Sequence, residues 1–262
     1  MIRVAVIGCG NIGTILAKAI DEGVVGAAVL VALYDVEAKR CRVLASRLRR
    51  QSPRIVEGLE ELLSTGPHVV VEAASQEAVR QYGPRVLEAG ADLVALSVGA
   101  LMDEALRRRL AEAARRHGRR VYVPSGALAG LDAVYALSLD EIRRVRLVTR
   151  KPPRSLGLPE EPPGPVTLYR GPAGEAVKRF PANVNVAAAL SLAAGREAEV
   201  EVVADPGVEQ NIHEVYVDAE ASRLYVRVEN RPSPSNPRTS LLAALSAIAL
   251  LRRLADEAIW IL

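Results

Sequence analysis

Residues 8–13 read Gly-Cys-Gly-Asn-Ile-Gly, between a short β-branched run, "RVAVIG", and a segment in which Ile12, Leu16 and Ile20 recur at helical spacing. Gly8 permits a tight turn out of the strand, Gly10 lets the backbone come close to a bound group, and Gly13 lets the helix pack against the strand. A GxGxxG triplet alone is a weak signal. Here it follows a strand, opens an amphipathic helix and precedes Asp35, which ends the next β-rich run. Asp35 stands about 20 residues beyond the glycines, as expected of a carboxylate that holds adenosine ribose hydroxyls. Phosphates would rest on the helix N-terminus at Asn11 and Ile12. Gly8, Gly10, Asn11, Ile12, Gly13 and Asp35 are therefore the expected dinucleotide contacts. The charge of Asp35 repels a 2′-phosphate, so NAD is the expected cofactor, while the neighbouring Lys39 and Arg40 keep NADP open. The plainer alternative is a glycine turn and an aspartate that caps the next helix.

The rest of the first half repeats strand and helix. "VLVALYD", "RIVE", "VVVEAA", "DLVALSV" and "RVYVP" are near-continuous apolar strands separated by helical segments, the pattern of a parallel sheet covered on both faces. A helix is expected over about 102–117, with Asp103 and Glu104 in its first turn, Arg115, Arg116 and His117 in its last, and Gly118 as C-cap. His117 reads as part of that cap. After Pro124 the strands alternate instead: "VRLVTRK", "VTLYR", "EVEVVAD", "NIHEVYVD" and "RLYVRVEN" each have one apolar and one polar face. Such strands fit an antiparallel sheet with helices on one side, the candidate covers being 130–139 and 183–195.

The expected fold is α/β, a Rossmann-type parallel-sheet domain over 1–124 and an α+β domain with a mainly antiparallel sheet over 125–236. A last helix, about 239–255 within the segment 237–262, is apolar along Leu241, Leu242, Leu245, Ile248 and Leu251 and is expected to pack back on the first domain. "KPPRSLGLPEEPPGP", 151–165, reads as a loop, either a lid or, with somewhat more weight, a surface excursion. The second domain is the expected substrate, catalytic and oligomerisation unit.

Composition removes several function classes. Hydrophobic residues make up 50% and charged residues 25%, the balance of a soluble globular protein, and aromatic residues are only 3%, so the core must be aliphatic. The net charge of +3 is spread through helices beside acidic residues, which argues against a nucleic-acid footprint. No apolar stretch approaches the ~18 residues of a membrane span, and the start lacks a secretory pattern. Cys9 and Cys41, the only cysteines, form neither a CxxC pair nor a metal spacing, so no metal is expected and a reducing cytoplasm is the simplest home. Only four of the 34 basic residues are lysine, Lys18, Lys39, Lys151 and Lys178, which reads as compositional bias.

His213 raises the chemical question. Alternation along "NIHEVYVD" puts it on the same face as Val215 and Val217, either as a core histidine with a satisfied hydrogen bond or as a catalytic group facing a pocket. "NPRTS" places Asn236, Arg238, Thr239 and Ser240 at the expected start of the last helix, an anion site or plain capping. His68 is expected on the surface.

Four motifs together, "YVPSGALAGLDA" (122–133), "KRFPANVNVAAALSLA" (178–193), "NIHEV" (211–215) and "ENRPSPSNPRTSLLAAL" (229–245), resemble the L-aspartate dehydrogenase family. With the glycine motif the resemblance covers nearly the whole chain, weakening in 151–165. It implies NAD(P)-dependent oxidation of L-aspartate to iminosuccinate, which enters NAD biosynthesis or hydrolyses to oxaloacetate and ammonia. It puts the family's active-site histidine on His213, its cofactor-binding alanine on Ala127 and its cofactor-binding asparagine on Asn183. Asn183 also suits a helix N-cap. Asn236, Thr239 and Ser240 are candidate substrate contacts. By analogy with small dehydrogenases, a homodimer or higher homo-oligomer is expected. The alternatives are a related dehydrogenase or reductase for another small acidic substrate, and a non-catalytic NAD-sensing module.

Overall fold

The structure, a computed structural model, describes residues 1–181, 185–233 and 236–256, and only the backbone of 232, 233 and 236–238. Its contacts fall into two units, Met1–Pro124 with the residues from Ala244 on, and Ser125–Ala243.

In the first unit the chain runs β1 (Ile2–Ile7), α1 (Asn11–Asp21), β2 (Ala28–Tyr34), α2 (Ala38–Ala45), β3 (Arg54–Ile55), α3 (Leu59–Ser64), β4 (Val69–Glu72), α4 (Gln76–Glu88), β5 (Asp92–Ala95), α5 (Glu104–His117) and β6 (Val121–Tyr122). The six strands make one sheet in the order β3-β2-β1-β4-β5-β6, every pair parallel. Strand order reverses direction between β2-β1 and β4, and such a switch point opens a crevice at the strands' C-terminal ends. α5 is bounded as its charges require: the Asp103 carboxylate accepts the N–H groups of Ala105 and Leu106, and Gly118 closes the helix at φ 63°. His68 is exposed.

The second unit contains α6 (Leu131–Leu137), β7 (Ile142–Lys151), β8 (Val166–Pro172), α7 (Ala173–Arg179), α8 (Asn185–Ala193), β9 (Glu199–Ala204), β10 (Asn211–Ala219), β11 (Arg223–Asn230), β12 (Pro232–Ser233) and β13 (Asn236–Ser240). Five strands form a sheet in the order β11-β10-β7-β9-β8; β7 and β9 are parallel and the other neighbours antiparallel. Alternation sorts the faces. Val145, Leu147, Val200, Val202, Val215 and Val217 are buried on one, where α8 packs against β7. The other face pairs its charges: Arg144 with Glu199, Arg146 and Arg170 with Glu201, Arg227 with Glu214.

α9 (Leu241–Asp256) completes the chain's described part. Ala247, Ile248 and Leu251 are buried in the same apolar cluster as Val4, Leu16, Leu30 and Val71 of the first unit. The loop after β7 is less of an excursion than its prolines suggest, since Pro152, Pro153 and Ser155 are buried and exposure concentrates from Pro159 on.

Candidate active site

At the C-terminal end of β1 the glycines do three different things. Gly8 has φ +101°, and a Cβ there would stand 2.6 Å from the Ala73 carbonyl oxygen, so both conformation and space demand glycine. At Gly13 a Cβ would meet the Gly8 oxygen at 1.8 Å. Around Gly10 nothing lies within 4 Å, and this residue heads α1 with no side-chain cap. Open space in front of an uncapped helix N-terminus is what a pyrophosphate requires.

A cleft of about 300 Å³ follows, lined by Gly8, Gly10, Tyr34, Asp35, Ala74 and Tyr82 among others. The Asp35 carboxylate is held in place, accepting the Cys9 N–H at 2.8 Å and the Glu37 N–H at 2.9 Å. Arg40, which also lines this cleft, is engaged by the Glu37 carboxylate. Thus the turn, the uncapped helix end and an anchored acid at the ribose position fit NAD, with Asp35 opposing a 2′-phosphate.

The crevice also rests on a residue that no sequence motif singles out. Glu72 ends β4, fully buried, and its carboxylate accepts the N–H groups of Ala74, Ser75 and Ser97 and the Ser97 hydroxyl. Burial pushes its carboxyl above the ordinary range while those four donors oppose the shift. Glu72 therefore ties the turns after β4 and β5 together beside the glycine turn.

In the second unit, polar residues gather at one end of the covered face. His213 lies opposite Thr149 in the β10–β7 ladder, 2% exposed, with Nδ1 3.1 Å from Thr149 Oγ1. Lys151 is two residues along β7 on the same face and 3% exposed. Burial lowers the lysine to about 8. Burial first and the Lys151 charge second lower His213 to about 3, so the imidazole is neutral. Asn211, two residues before His213, donates Nδ2 to Ser240 Oγ at 3.3 Å. Its buried Oδ1 lacks a partner among the described residues. Asn230, at the end of β11, donates Nδ2 to the Ala127 carbonyl at 3.1 Å.

The structure thus brings His213, Ser240 and Ala127 into one unit with Asn211, Asn230 and Lys151, three residues that sequence reasoning misses. Asn183 lies outside the described residues, as does the side chain of Asn236. One expectation is corrected. Asn236 and Thr239 lie ahead of the last helix, in β13, which pairs with β12; α9 begins at Leu241, which leaves Ser240 at its N-cap position. That pairing and the Asn211 bond hold Ser240 in extended backbone. The signal for Lys151 is the alternation through "VRLVTRK", because it continues the Val145, Leu147, Thr149 face by one more step. Among the described residues no group of three His, Cys, Asp or Glu could hold a metal ion, and no helix is long and apolar enough to cross a membrane.

A model of the aspartate dehydrogenase C-terminal domain matches residues 132–254, and one of the homoserine dehydrogenase NAD-binding domain matches 8–124. The chain is 48% identical over 266 residues to the L-aspartate dehydrogenase of Methanosarcina barkeri, covering 97% of each. The chain belongs to the L-aspartate dehydrogenase family. To the L-aspartate dehydrogenase of Methanothermobacter thermautotrophicus it is 45% identical, covering 98% of this chain and 97% of that one. The solved structure of the Thermotoga maritima aspartate dehydrogenase superposes with a TM-score of 0.80 at 30% identity, over 99% of both chains. This L-aspartate dehydrogenase family fold accounts for the pairing of a parallel nucleotide sheet with a mixed, mostly antiparallel one.

Proposed function

We propose that the chain oxidises L-aspartate at Cα with NAD, yielding iminosuccinate, which hydrolyses to oxaloacetate and ammonia or feeds NAD biosynthesis. The observation that carries this reading is a neutral buried histidine beside a buried lysine, in a chain whose relatives are L-aspartate dehydrogenases. Gly8, Gly10, Asn11, Ile12, Gly13 and Asp35 hold the cofactor, with Ala127 and Asn183 contributing as in the family, and bound NAD supplies the hydride acceptor.

His213 takes the proton of the substrate ammonium, so that the nitrogen lone pair can form the C=N bond as hydride leaves Cα. In the tautomer that donates Nδ1–H to Thr149 Oγ1, 3.1 Å away, Nε2 carries the lone pair that accepts the proton. Lys151 binds a substrate carboxylate, and Asn211 and Ser240 supply further hydrogen bonds, with Asn236 and Thr239 beside them in sequence. The carboxylate offsets the Lys151 charge, the lesser, after burial, of the two causes that lower His213, and so raises the proton affinity of the imidazole. In the reverse direction the imidazolium donates to the imine.

The second unit is then the substrate and catalytic unit. It is also the oligomerisation unit of a cytoplasmic homodimer or larger homo-oligomer, and the half-exposed, closely packed Tyr216 and Tyr225 on its charged face support that surface. Light scattering of the purified protein measures the mass.

The test of the activity is a panel of L-amino acids with NAD or NADP, following reduced nicotinamide by absorbance. Turnover on L-aspartate, lost in His213→Ala with NAD affinity kept, is the expected result. NAD binding without turnover on L-aspartate would overturn the reading in favour of another acidic substrate or a sensor.

A further inference from the structure

Cys9 and Cys41 are the only cysteines in the chain and stand 32 residues apart, yet the fold sets their sulfurs 2.6 Å from each other. Both are buried thiols. Cys9 sits between Gly8 and Gly10 in the turn that leaves β1, and Cys41 lies in the middle of α2. Two unrelated sulfurs meet in an aliphatic core where any pair of small apolar side chains would have filled the space.

A second feature concerns access. Cys9 lines a separate cleft of about 250 Å³ whose other walls include Thr14, Lys39, Arg40 and Arg47. Arg40 is paired with Glu37, so Lys39 and Arg47 give this cleft a net positive lining. A small disulfide carrying carboxylates is drawn to such a lining.

We propose that Cys9 and Cys41 are a modification site, forming a reversible disulfide by exchange with a small anionic disulfide that enters the basic cleft at Cys9. Cys9 Sγ, as thiolate, attacks one sulfur of the small disulfide and releases one small thiolate. Cys41 Sγ then attacks Cys9 Sγ, breaking the mixed disulfide and releasing the second. The two protein thiols are oxidised, their two protons pass to the released thiolates, and the small disulfide is reduced to two thiols. In a reducing compartment the pair stays a dithiol and closes only when the small-disulfide pool rises. The Cys9 thiol lies above the usual range and the Cys41 thiol below it, the hydrogen bond between them being the largest cause for both, so the attack by Cys9 is the slow step and the resolving attack by Cys41 the fast one.

The bond would join the nucleotide turn to α2 and hold the Cys9 N–H on Asp35. The test uses the purified full chain, incubated with excess glutathione disulfide, quenched in acid, denatured, alkylated and weighed. The expected product is two hydrogen masses lighter, takes up no alkylating agent and yields a linked Cys9–Cys41 peptide. Its Tm should exceed that of the reduced protein by roughly 5 °C or more, because the bond constrains the unfolded chain. Cys41→Ser should stop at one glutathione adduct on Cys9. Two alkylatable thiols in the treated wild type, a persistent single adduct on it, or a disulfide between two chains would each overturn the proposal.

Discussion

Replacing Lys151 with methionine should make the protein more stable and a worse enzyme. Lys151 is 3% exposed, and burial lowers it from 10.5 to about 8. At neutral pH the folded state therefore holds a charge that the unfolded state holds more easily. Two and a half pK units correspond to about 3 kcal/mol at most, at about 1.4 kcal/mol per unit. Methionine keeps the length of the side chain and removes the charge, while the lysine's hydrogen bonding is lost with it. A net gain of about 1–2 kcal/mol is expected, or roughly 2–8 °C in Tm for a chain of this size. The sign is checked by pH. Wild-type stability should climb as pH rises from about 8 to 10.5, as the folded lysine deprotonates before the unfolded one. The variant should lack that climb. Loss of a charge-assisted bond to a substrate carboxylate, about 2–3 kcal/mol, should raise KM for L-aspartate roughly 30- to 150-fold with NAD affinity unchanged. Calorimetry and initial rates read both effects. A lower Tm, or an unchanged KM, would refute the reasoning.

His213→Asn should lower kcat by about 10²–10⁴-fold with NAD binding retained by fluorescence titration. The same variant should blunt acid sensitivity. The wild-type imidazole must gain a proton in the unfolded state near 6.5 but resists it down to about 3 when folded, so wild-type stability falls as pH drops through that window. Equal urea midpoint shifts for both proteins between pH 7 and 4 would contradict this. Asp35→Ser should move the kcat/KM ratio towards NADP by at least about tenfold, since it removes the charge that repels a 2′-phosphate. An unchanged ratio would place cofactor choice elsewhere. Glu72→Ala leaves four donors without their acceptor and should cost about 3 kcal/mol or more in urea unfolding, whereas Glu72→Gln should cost less. Equal losses would show that the hydrogen bonds are not what Glu72 contributes.

The parts of this fold that are legible in the amino-acid sequence are those whose signal is local. "VVVE" and "VLVALY" read as buried parallel strands because they are apolar on both faces. Period-two alternation puts His213 inward, and the ladder opposite Thr149 puts it there too. What stays hidden depends on meetings between distant segments. Nothing in "VVVEAA" says that its glutamate will collect donors from residues 74, 75 and 97, because a lone acid at a strand end reads as a polar terminus. Lys151 reads as the first residue of a proline loop, though its parity continues the β7 face. Thr239 and Ser240 suggest a helix start by residue type, and Ser240 does stand directly before α9, but no local signal announces that Asn236–Ser240 pair with Pro232–Ser233. The two cysteines carry no spacing signal, since only a βαβ geometry brings positions 9 and 41 together.

The return of α9 to the first unit bears on how the chain can fold. Val4, Leu16, Leu30 and Val71 share their core with Ala247, Ile248 and Leu251, so the nucleotide-binding sheet is assembled from residues some 240 positions apart. During synthesis, β1 to β6 emerge with that core still uncovered, and the whole antiparallel unit must follow before the covering helix exists. Residues 1–124 expressed alone would present an apolar strip to water. The dinucleotide site, written almost entirely in the first 40 residues, is thus among the last parts of the molecule to become stable.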